Sequence, residues 1–299
     1  MGDKNVLDDD LSKESFGRDW TKKYEPNPSV VLLPKNTEEV SKIMKYCHDQ
    51  NICLVPSGGR TGLAGGAVAA NGEVVLSLNR MNKILDIDSV GMCLVTEAGV
   101  TTQEIQEAAA NTGLFFPIDL AAKGSCQIGG NIATNAGGVK LIRFGGTREQ
   151  VLGLEVVLVD GRVLDINTAL RKNNTGYDLK QLFLGSEGTL GIVTKATLKL
   201  SATPRNVQLT LMATDSFDKI PQILKSLNQQ GAQITAFEFF TLAAHEKVLK
   251  YTPNARTPFE EKSNFYVLLE IEEGPIPGKV LEPVLEKVFE EGLISDAVI

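Results

Sequence analysis

Two patterns, apolar residues at helical spacing and continuous apolar runs, predict the secondary structure of the longer, N-terminal part of the chain. After Thr37, four apolar residues between Val40 and Cys47 fall on one face of a helix, with Thr37 as its expected N-cap. Residues 52–56 then form an apolar run, which is typical of a buried strand. The opening is therefore expected to be a βαβ-like unit.

The same patterns predict further strands and one more helix in this part. Thr101 and Glu104 have the spacing of a capping box, which predicts a helix that ends near Gly113. Asp160 and Gly161 separate two apolar runs, as in a hairpin turn. Strands are expected on both sides of this turn and over residues 73–78, 93–100 and 190–200.

Glycine usage changes near Pro204, since 24 of the 28 glycines precede residue 205. Glycine is used in quantity where the backbone takes positive φ or approaches a ligand, so we expect a lead-in (1–24), a ligand-binding domain (25–204) and a second domain (205–299). The second domain alternates expected strands (207–213, 233–240, 264–272) with expected helices (216–230, 241–250, 279–292). No strand is expected after the last helix, which predicts an unfinished α+β sandwich in a fragment of a longer protein.

Charge and composition exclude several classes of protein. The 299 residues carry a net charge of −7 without a basic cluster, which argues against a nucleic-acid partner. No apolar run reaches the roughly 18 residues of a membrane helix, and the N-terminus has no apolar export segment. The four cysteines form no C-x-x-C pair and only two histidines are present, so we expect a cytoplasmic protein without a metal site in this chain.

The first of three glycine-rich segments lies directly after the apolar run at 52–56. Residues 58–66, GGRTGLAGG, place five glycines within nine residues. Backbone N–H groups in such a loop can converge on a diphosphate, and a tight connection between strands is the alternative. Neither G-x-G-x-x-G nor a P-loop occurs, which argues against the NAD-Rossmann and P-loop classes.

The second segment, residues 123–138, combines glycines with small polar residues and has little apolar content. We expect that it cannot form a core element and that it lies along an extended polar ligand, with an exposed flexible loop as the alternative. Cys126 within it either approaches the ligand or is a small core residue. The third segment, GSEGTLG (185–191), precedes a strand. His48 and His245 are expected on helix surfaces and are not expected to be catalytic bases.

Together, the motifs PSGGRTG, DLAAKGSCQIGGNIATNAGG and TALRKNNTGYDLKQLFLGSEGTLG resemble those of flavoproteins with a vanillyl-alcohol-oxidase or PCMH-type FAD domain. Within that family they are similar to the branch of D-2-hydroxyglutarate, D-lactate and glycolate dehydrogenases. The resemblance covers roughly residues 20–299. It implies an α+β fold, with a two-subdomain PCMH-type FAD-binding domain followed by an incomplete α+β substrate (cap) domain.

The resemblance also implies which residues contact FAD. The family's diphosphate loop is matched by Ser57, Gly58, Gly59, Arg60, Thr61, Gly62, Gly65 and Ser77. Its stretch beside the flavin ring, ribityl chain and diphosphate is matched by Pro117, Gly124, Ser125, Gly129, Gly130, Asn131, Ala133 and Thr134. Its segment that closes the adenosine end is matched by Gly188, Gly191 and Ile192. Some relatives attach FAD to a histidine in R-S-G-G-H, where this chain has P-S-G-G-R. Arg60 can pair with phosphate but cannot form that bond, so noncovalent FAD is expected, with a plain surface cation as the alternative.

The implied reaction is FAD-dependent oxidation of a small-molecule D-2-hydroxy acid to the 2-oxo acid, with hydride passing to flavin N5. D-2-hydroxyglutarate is the first candidate, followed by D-lactate or glycolate, and a quinone or an electron-transferring flavoprotein is the implied acceptor. In the family, the general base, the metal-binding histidines and the carboxylate-binding cations lie in the C-terminal half. No histidine follows His245, so no catalytic residue is assigned, a divalent metal is expected only in a longer protein, and the chain alone is expected to be nearly inactive.

Two alternatives remain at this stage. One is a noncatalytic FAD-binding module. The other is an NADPH-dependent reductase similar to the cell-wall enolpyruvyl reductase, which lacks support in the DLAAKGSCQ stretch.

Overall fold

The computed structural model of the chain describes residues 2–274 and 279–299, which divide into two compact units. The first unit contains Met1–Gly138 and Gly146–Ala202, and the second contains Val139–Gly145 and Thr203–Ile299. The helices are α1 (Asp10–Phe16), α2 (Thr37–Asp49), α3 (Thr102–Ala110), α4 (Ile128–Thr134), α5 (Leu141–Phe144), α6 (Thr147–Gln150), α7 (Lys180–Phe183), α8 (Lys219–Gln229), α9 (Leu242–Tyr251) and α10 (Leu281–Glu290). The strands are β1 (Val6–Leu7), β2 (Val30–Leu32), β3 (Leu54–Ser57), β4 (Val74–Ser77), β5 (Ile84–Asp88), β6 (Cys93–Glu97), β7 (Leu114–Phe115), β8 (Val151–Leu158), β9 (Val163–Ile166), β10 (Gly191–Lys199), β11 (Ser201–Ala202), β12 (Val207–Thr214), β13 (Gln233–Thr241), β14 (Phe265–Glu272) and β15 (Asp296–Val298).

Local sequence signals account for the ends of several elements. The expected capping box is confirmed, because the Thr101 hydroxyl and the Glu104 carboxylate bond each other's backbone N–H at the start of α3. The expected hairpin is also confirmed, with Gly161 at φ +83° between β8 and β9. The expectation that Thr37 is the N-cap of α2 is wrong by one residue. Asn36 is the N-cap, and its side chain accepts from the Glu39 N–H at 2.9 Å.

The first unit contains two sheets and a small strand pair. In the smaller sheet, of order β1-β2-β4-β3, both β2 and β3 run parallel to β4, so the predicted βαβ-like opening is confirmed. The larger sheet is antiparallel, with order β5-β6-β10-β8-β9. Leu154 of β8 in this sheet and Ile105 of α3 are fully buried, and both belong to one apolar cluster with residues of α4.

A buried carboxylate connects α2 to the larger sheet. Glu155 of β8 accepts from the hydroxyls of Thr37 at 2.5 Å and Thr194 at 2.7 Å, and from Lys195 Nζ at 3.0 Å. Burial alone would raise the pKa of Glu155, but these hydrogen bonds and the lysine charge lower it below its ordinary value. The carboxylate therefore stays ionised and fixes the start of α2.

The second unit is an antiparallel sheet of order β13-β14-β12-β15, and α8 and α10 pack on one of its faces. Ile223 of α8 and Val284 of α10 share an apolar cluster with Leu269 of β14. On the opposite face, Glu270 of β14 pairs with Lys140 from the segment that carries α5. The chain therefore contributes two separate segments to this unit.

The structure corrects two expectations for the second unit. A strand does follow the last helix, because β15 pairs with β12, and three residues are too few to show an alternating pattern. His245 does not lie on a helix surface. It is only 9% exposed, and its ring centroid lies 4.7 Å from that of Tyr266 and 5.7 Å from that of Phe240.

Within residues 2–274 and 279–299, none of the helices has the length and apolar character needed to cross a membrane. The exposed position expected for His48 on α2 is confirmed.

Candidate functional site

The first glycine loop, residues 57–66, leaves the carboxyl end of β3. Its first residue, Ser57, is paired in register with Ser77 of the parallel strand β4, and both serines are buried. Across the described residues, no backbone N–H from Gly58 to Ala64 donates a hydrogen bond to a protein acceptor. A run of backbone donors without protein partners is the feature expected of an anion-binding loop.

Arg60 occupies the middle of this loop with φ at +56°, in the left-handed region. Its Nη1 donates to the Gly58 carbonyl at 2.9 Å, and its guanidinium carbon lies 4.4 Å from the centre of the Phe16 ring. Burial lowers the pKa of the guanidinium from its ordinary value. Among the described residues, Arg60 has no carboxylate partner, so its charge is not neutralised within the protein. The alternative of a plain surface cation does not fit this half-buried, stacked side chain.

The N-terminal segment supports the loop from the other side. Asp19, only 3% exposed, accepts from the Gly65 N–H at 3.0 Å and from the Thr21 hydroxyl at 2.7 Å. The Trp20 N–H donates to the Gly62 carbonyl at 3.3 Å. Hydrogen bonds from Thr21 and from Gly65 hold the pKa of Asp19 below its ordinary value. The segment treated as a lead-in from its sequence therefore fixes the path of the glycine loop.

The second glycine stretch, residues 123–138, is not the coreless segment that its composition predicted. Residues 128–134 form α4, and both Ile128 and Ile132 are fully buried. Asn131 donates to the Thr102 hydroxyl at 2.6 Å, and that hydroxyl lies 3.2 Å from Cys126 Sγ. Two apolar side chains one helical turn apart are enough to bury a short helix when the rest of the unit covers it, and Cys126 is a core residue.

The structure brings the three glycine segments together within the first unit. A Cβ on Gly59 would lie 2.1 Å from the Ser125 carbonyl oxygen, so the first loop and the second stretch are in direct backbone contact. A Cβ on Gly188 would lie 2.4 Å from Cγ of Pro56, which places the third segment against β3. The Glu187 N–H donates to the Ala133 carbonyl at 2.8 Å and links the second and third segments.

The residues assigned to FAD from the sequence occupy three kinds of position. Those on the surface are Gly62, Gly124, Ser125 and Thr134. Those that are half-buried are Gly58, Gly59, Arg60, Thr61, Gly65, Gly129, Gly130, Ala133 and Gly188. Those that are buried are Ser57, Ser77, Pro117, Asn131, Gly191 and Ile192. The Asn131 amide is turned inward to Thr102, so its side chain serves the core in this structure.

A cleft of about 410 Å³ lies beside the third segment. Gly188, Gly191 and Ile192 line it together with Met44 of α2 and Leu54 of β3. The three residues that the resemblance assigns to the adenosine end therefore face a space large enough for part of a ligand.

Comparison with known proteins identifies this architecture. Residues 28–167 match the family described as FAD binding domain. Over its full length the chain also superposes on p-cresol methylhydroxylase (PCMH) with substrate bound, with a TM-score of 0.79 at 21% identity and covering 63% of that chain. The chain therefore has the fold of PCMH. The fold is shared with an alkyldihydroxyacetonephosphate synthase, with a TM-score of 0.78 at 22% identity.

Similarity to curated proteins extends beyond residues 28–167. The chain is 47% identical over 287 residues to the D-2-hydroxyglutarate dehydrogenase of Xanthomonas citri pv. viticola, a match that covers 96% of this chain and 60% of the relative. It is 43% identical to the mitochondrial D-2-hydroxyglutarate dehydrogenase of Arabidopsis thaliana, covering 100% of this chain and 54% of the relative. The chain thus spans about half to three fifths of the length of these curated relatives.

The residues of the first glycine loop fit the diphosphate of FAD. Among the described residues, the N–H groups from Gly58 to Ala64 have no protein acceptors and Arg60 has no carboxylate partner. A Cβ on Gly62 or on Gly130 would meet nothing within 4 Å, so open space lies over both segments. An anion with its long organic substituents needs such donors and such room.

Two residues that contact the first glycine loop could not be found from the sequence. Phe16 and Asp19 contact it, yet neither belongs to a motif of the family that the sequence displays. Phe16 and Asp19 lie some 40 residues before the loop along the chain, so only the folded structure brings them to it. No local signal marks such a residue.

Proposed function

We propose that the first unit binds FAD noncovalently, with the diphosphate against residues 57–62, the flavin and ribityl chain along residues 123–134, and the adenosine end toward the cleft beside Gly188. The convergence of the three glycine segments is the observation that carries this proposal. In chain terms, residues 25–204 form the FAD-binding domain and residues 205–299 form part of a substrate domain.

The reaction that we propose for the whole protein is oxidation of D-2-hydroxyglutarate, with D-lactate or glycolate as the next candidates. Support comes from the names of relatives that are 43% to 47% identical over nearly the whole chain. Bound FAD supplies the hydride acceptor. The chain's own part is to hold the diphosphate with backbone N–H groups and Arg60, and to exclude water with the side chains that pack around the three segments.

The electron acceptor and the location are further parts of the proposal. A quinone or an electron-transferring flavoprotein would take the electrons, as the family resemblance implies. All four cysteines are free thiols, which supports a reducing compartment such as the cytoplasm. The Arabidopsis relative carries the word mitochondrial in its name, and a mitochondrial matrix is also reducing.

One experiment tests cofactor, attachment and reaction in sequence. The purified chain is scanned for visible flavin absorbance with and without added FAD, and D-2-hydroxyglutarate, D-lactate and glycolate are then added anaerobically. Bleaching with one acid assigns the substrate, and bound flavin that no acid bleaches shows that this chain by itself is a noncatalytic FAD-binding module. Acid precipitation should release the flavin, and flavin that stays on the protein would refute noncovalent attachment through Arg60.

A further inference from the structure

Gln127 immediately precedes α4, and only the nitrogen of its side-chain amide forms a hydrogen bond within the described residues. The residue is 8% exposed, and its Nε2 donates to Oδ1 of Asn79 at 2.8 Å. Its Oε1 is sealed from solvent and has no hydrogen-bond partner among the described residues. Buried amide oxygens normally accept a hydrogen bond, so an unpaired one calls for a reason.

The backbone holds this side chain in place. The Gln127 carbonyl accepts from the Asn131 N–H at 3.0 Å, and the residue forms a β-bridge with Thr101. Asn79 fixes the other end of the amide. The unpaired oxygen therefore cannot relieve its position by a simple rotation into solvent.

The unpaired oxygen lies against the first glycine loop. It is 3.4 Å from where a Cβ on Gly58 would be, and Gly58 opens the run of backbone N–H groups that lack protein acceptors. An acceptor without a donor and a series of donors without acceptors thus lie side by side. A small rearrangement of the loop would pair them.

We propose that Gln127 is a positioning residue for FAD: Asn79 orients its amide, and its free oxygen accepts a backbone N–H of the first glycine loop when the diphosphate is bound. The remaining N–H groups and Arg60 then face the ligand. This inference rests on the proposed binding of FAD. It concerns a residue outside the set that the family motifs assign.

The test separates a role in FAD binding from a role in folding. In Gln127→Met, a side chain of similar length replaces the amide and removes the unpaired buried oxygen, while half-exposed Asn79 can be hydrated. The FAD-free variant should therefore melt at or above the temperature of the unsubstituted chain. Its dissociation constant for FAD, from quenching of FAD fluorescence, should rise about tenfold, the factor that one ordinary hydrogen bond provides.

Two further variants complete the design. Asn79→Ala should weaken FAD binding through the same amide, so that the double variant binds no more weakly than Gln127→Met alone. Gln106→Met is the matched control, because Gln106 also makes one amide hydrogen bond, to the Ile118 carbonyl at 2.8 Å, and does not contact the loop.

The possible results distinguish this inference from the proposal on which it rests. If the unsubstituted chain binds FAD and Gln127→Met binds it within twofold, the positioning role is refuted and FAD binding stands. A lower melting temperature of FAD-free Gln127→Met, with weaker binding that Gln106→Met reproduces, would also refute it, since that is the signature of a folding role. Failure of the unsubstituted chain to bind FAD would refute both.

Discussion

The first glycine loop and the second glycine stretch are similar in composition but differ in their backbone hydrogen bonds and packing. In the first loop, no backbone N–H from Gly58 to Ala64 has a protein acceptor among the described residues, and the open side of Gly62 faces space. In residues 123–138 glycine permits close packing, since a Cβ on Gly129 would lie 2.8 Å from Cβ of Ala98. Glycine density therefore marks where backbone is approached closely, and only the fold decides whether a ligand or the protein makes that approach.

The contact between the two segments is the point where a substitution should do most damage. In Gly59→Ala, a methyl group would have to occupy space 2.1 Å from the Ser125 carbonyl oxygen, so the loop must move. We expect a loss of about 3 kcal/mol in the free energy of unfolding and no detectable FAD binding. Urea titration and FAD fluorescence measure the two effects. Gly62→Ala is the stability control. If Gly59→Ala and Gly62→Ala are equally stable, the close contact between Gly59 and Ser125 is contradicted.

Asn131 tests whether the second stretch serves the core or the ligand. Asn131→Leu removes the 2.6 Å bond to the buried Thr102 hydroxyl, which should cost about 2 kcal/mol of stability. FAD affinity of the folded fraction should change little, because the amide points inward. Calorimetry and a titration with FAD at low temperature separate the two. Unchanged stability with lost FAD affinity would show that the amide contacts the cofactor instead.

Gly130 lies in α4 with its open side free, so it should behave in the opposite way to Gly59. Alanine there should stabilise the FAD-free chain by about 0.5 kcal/mol, through helix propensity. The added methyl should weaken FAD binding about tenfold, because it enters the space kept for the ligand. Gly274→Ala, another glycine with open surroundings, is the control. Tighter FAD binding by the Gly130 variant would place the ligand elsewhere.

Asp19 should give the smallest effect and the one that depends on pH. Its pKa is lowered in the folded chain, so its contribution to stability is complete above about pH 4 and is lost as the pH falls through the lowered value. Asp19→Asn should therefore lower the melting temperature by about 2 °C at pH 7, and the difference should shrink below pH 4.

Melting curves of the unsubstituted chain and of Asp19→Asn between pH 3 and pH 7 measure this effect. Asp218→Asn, at an exposed carboxylate whose side chain caps nothing, is the control. If the difference in melting temperature between Asp19→Asn and the unsubstituted chain stays constant with pH, the Asp19 carboxylate does not stabilise the loop through its charge.

Features that depend on neighbours along the chain were predictable. The capping box of Thr101 and Glu104, the hairpin at Asp160 and the strands on either side of the first glycine loop each depend on interactions over a few residues. The resemblance to PCMH-type FAD domains is also contained in continuous motifs, which do not require a fold to be read. For these features the amino-acid sequence alone was sufficient.

What only the tertiary structure decided are features in which distant segments meet. The sequence does not show that Gly59 packs on Ser125, that Asp19 holds Gly65, or that the polar-looking α4 buries two isoleucines. It also led to an exposed His245, because the helical pattern of α9 says nothing about the aromatic side chains that β13 and β14 bring to it. Such contacts depend on packing between elements far apart in the chain, and local propensity does not encode which elements will face each other.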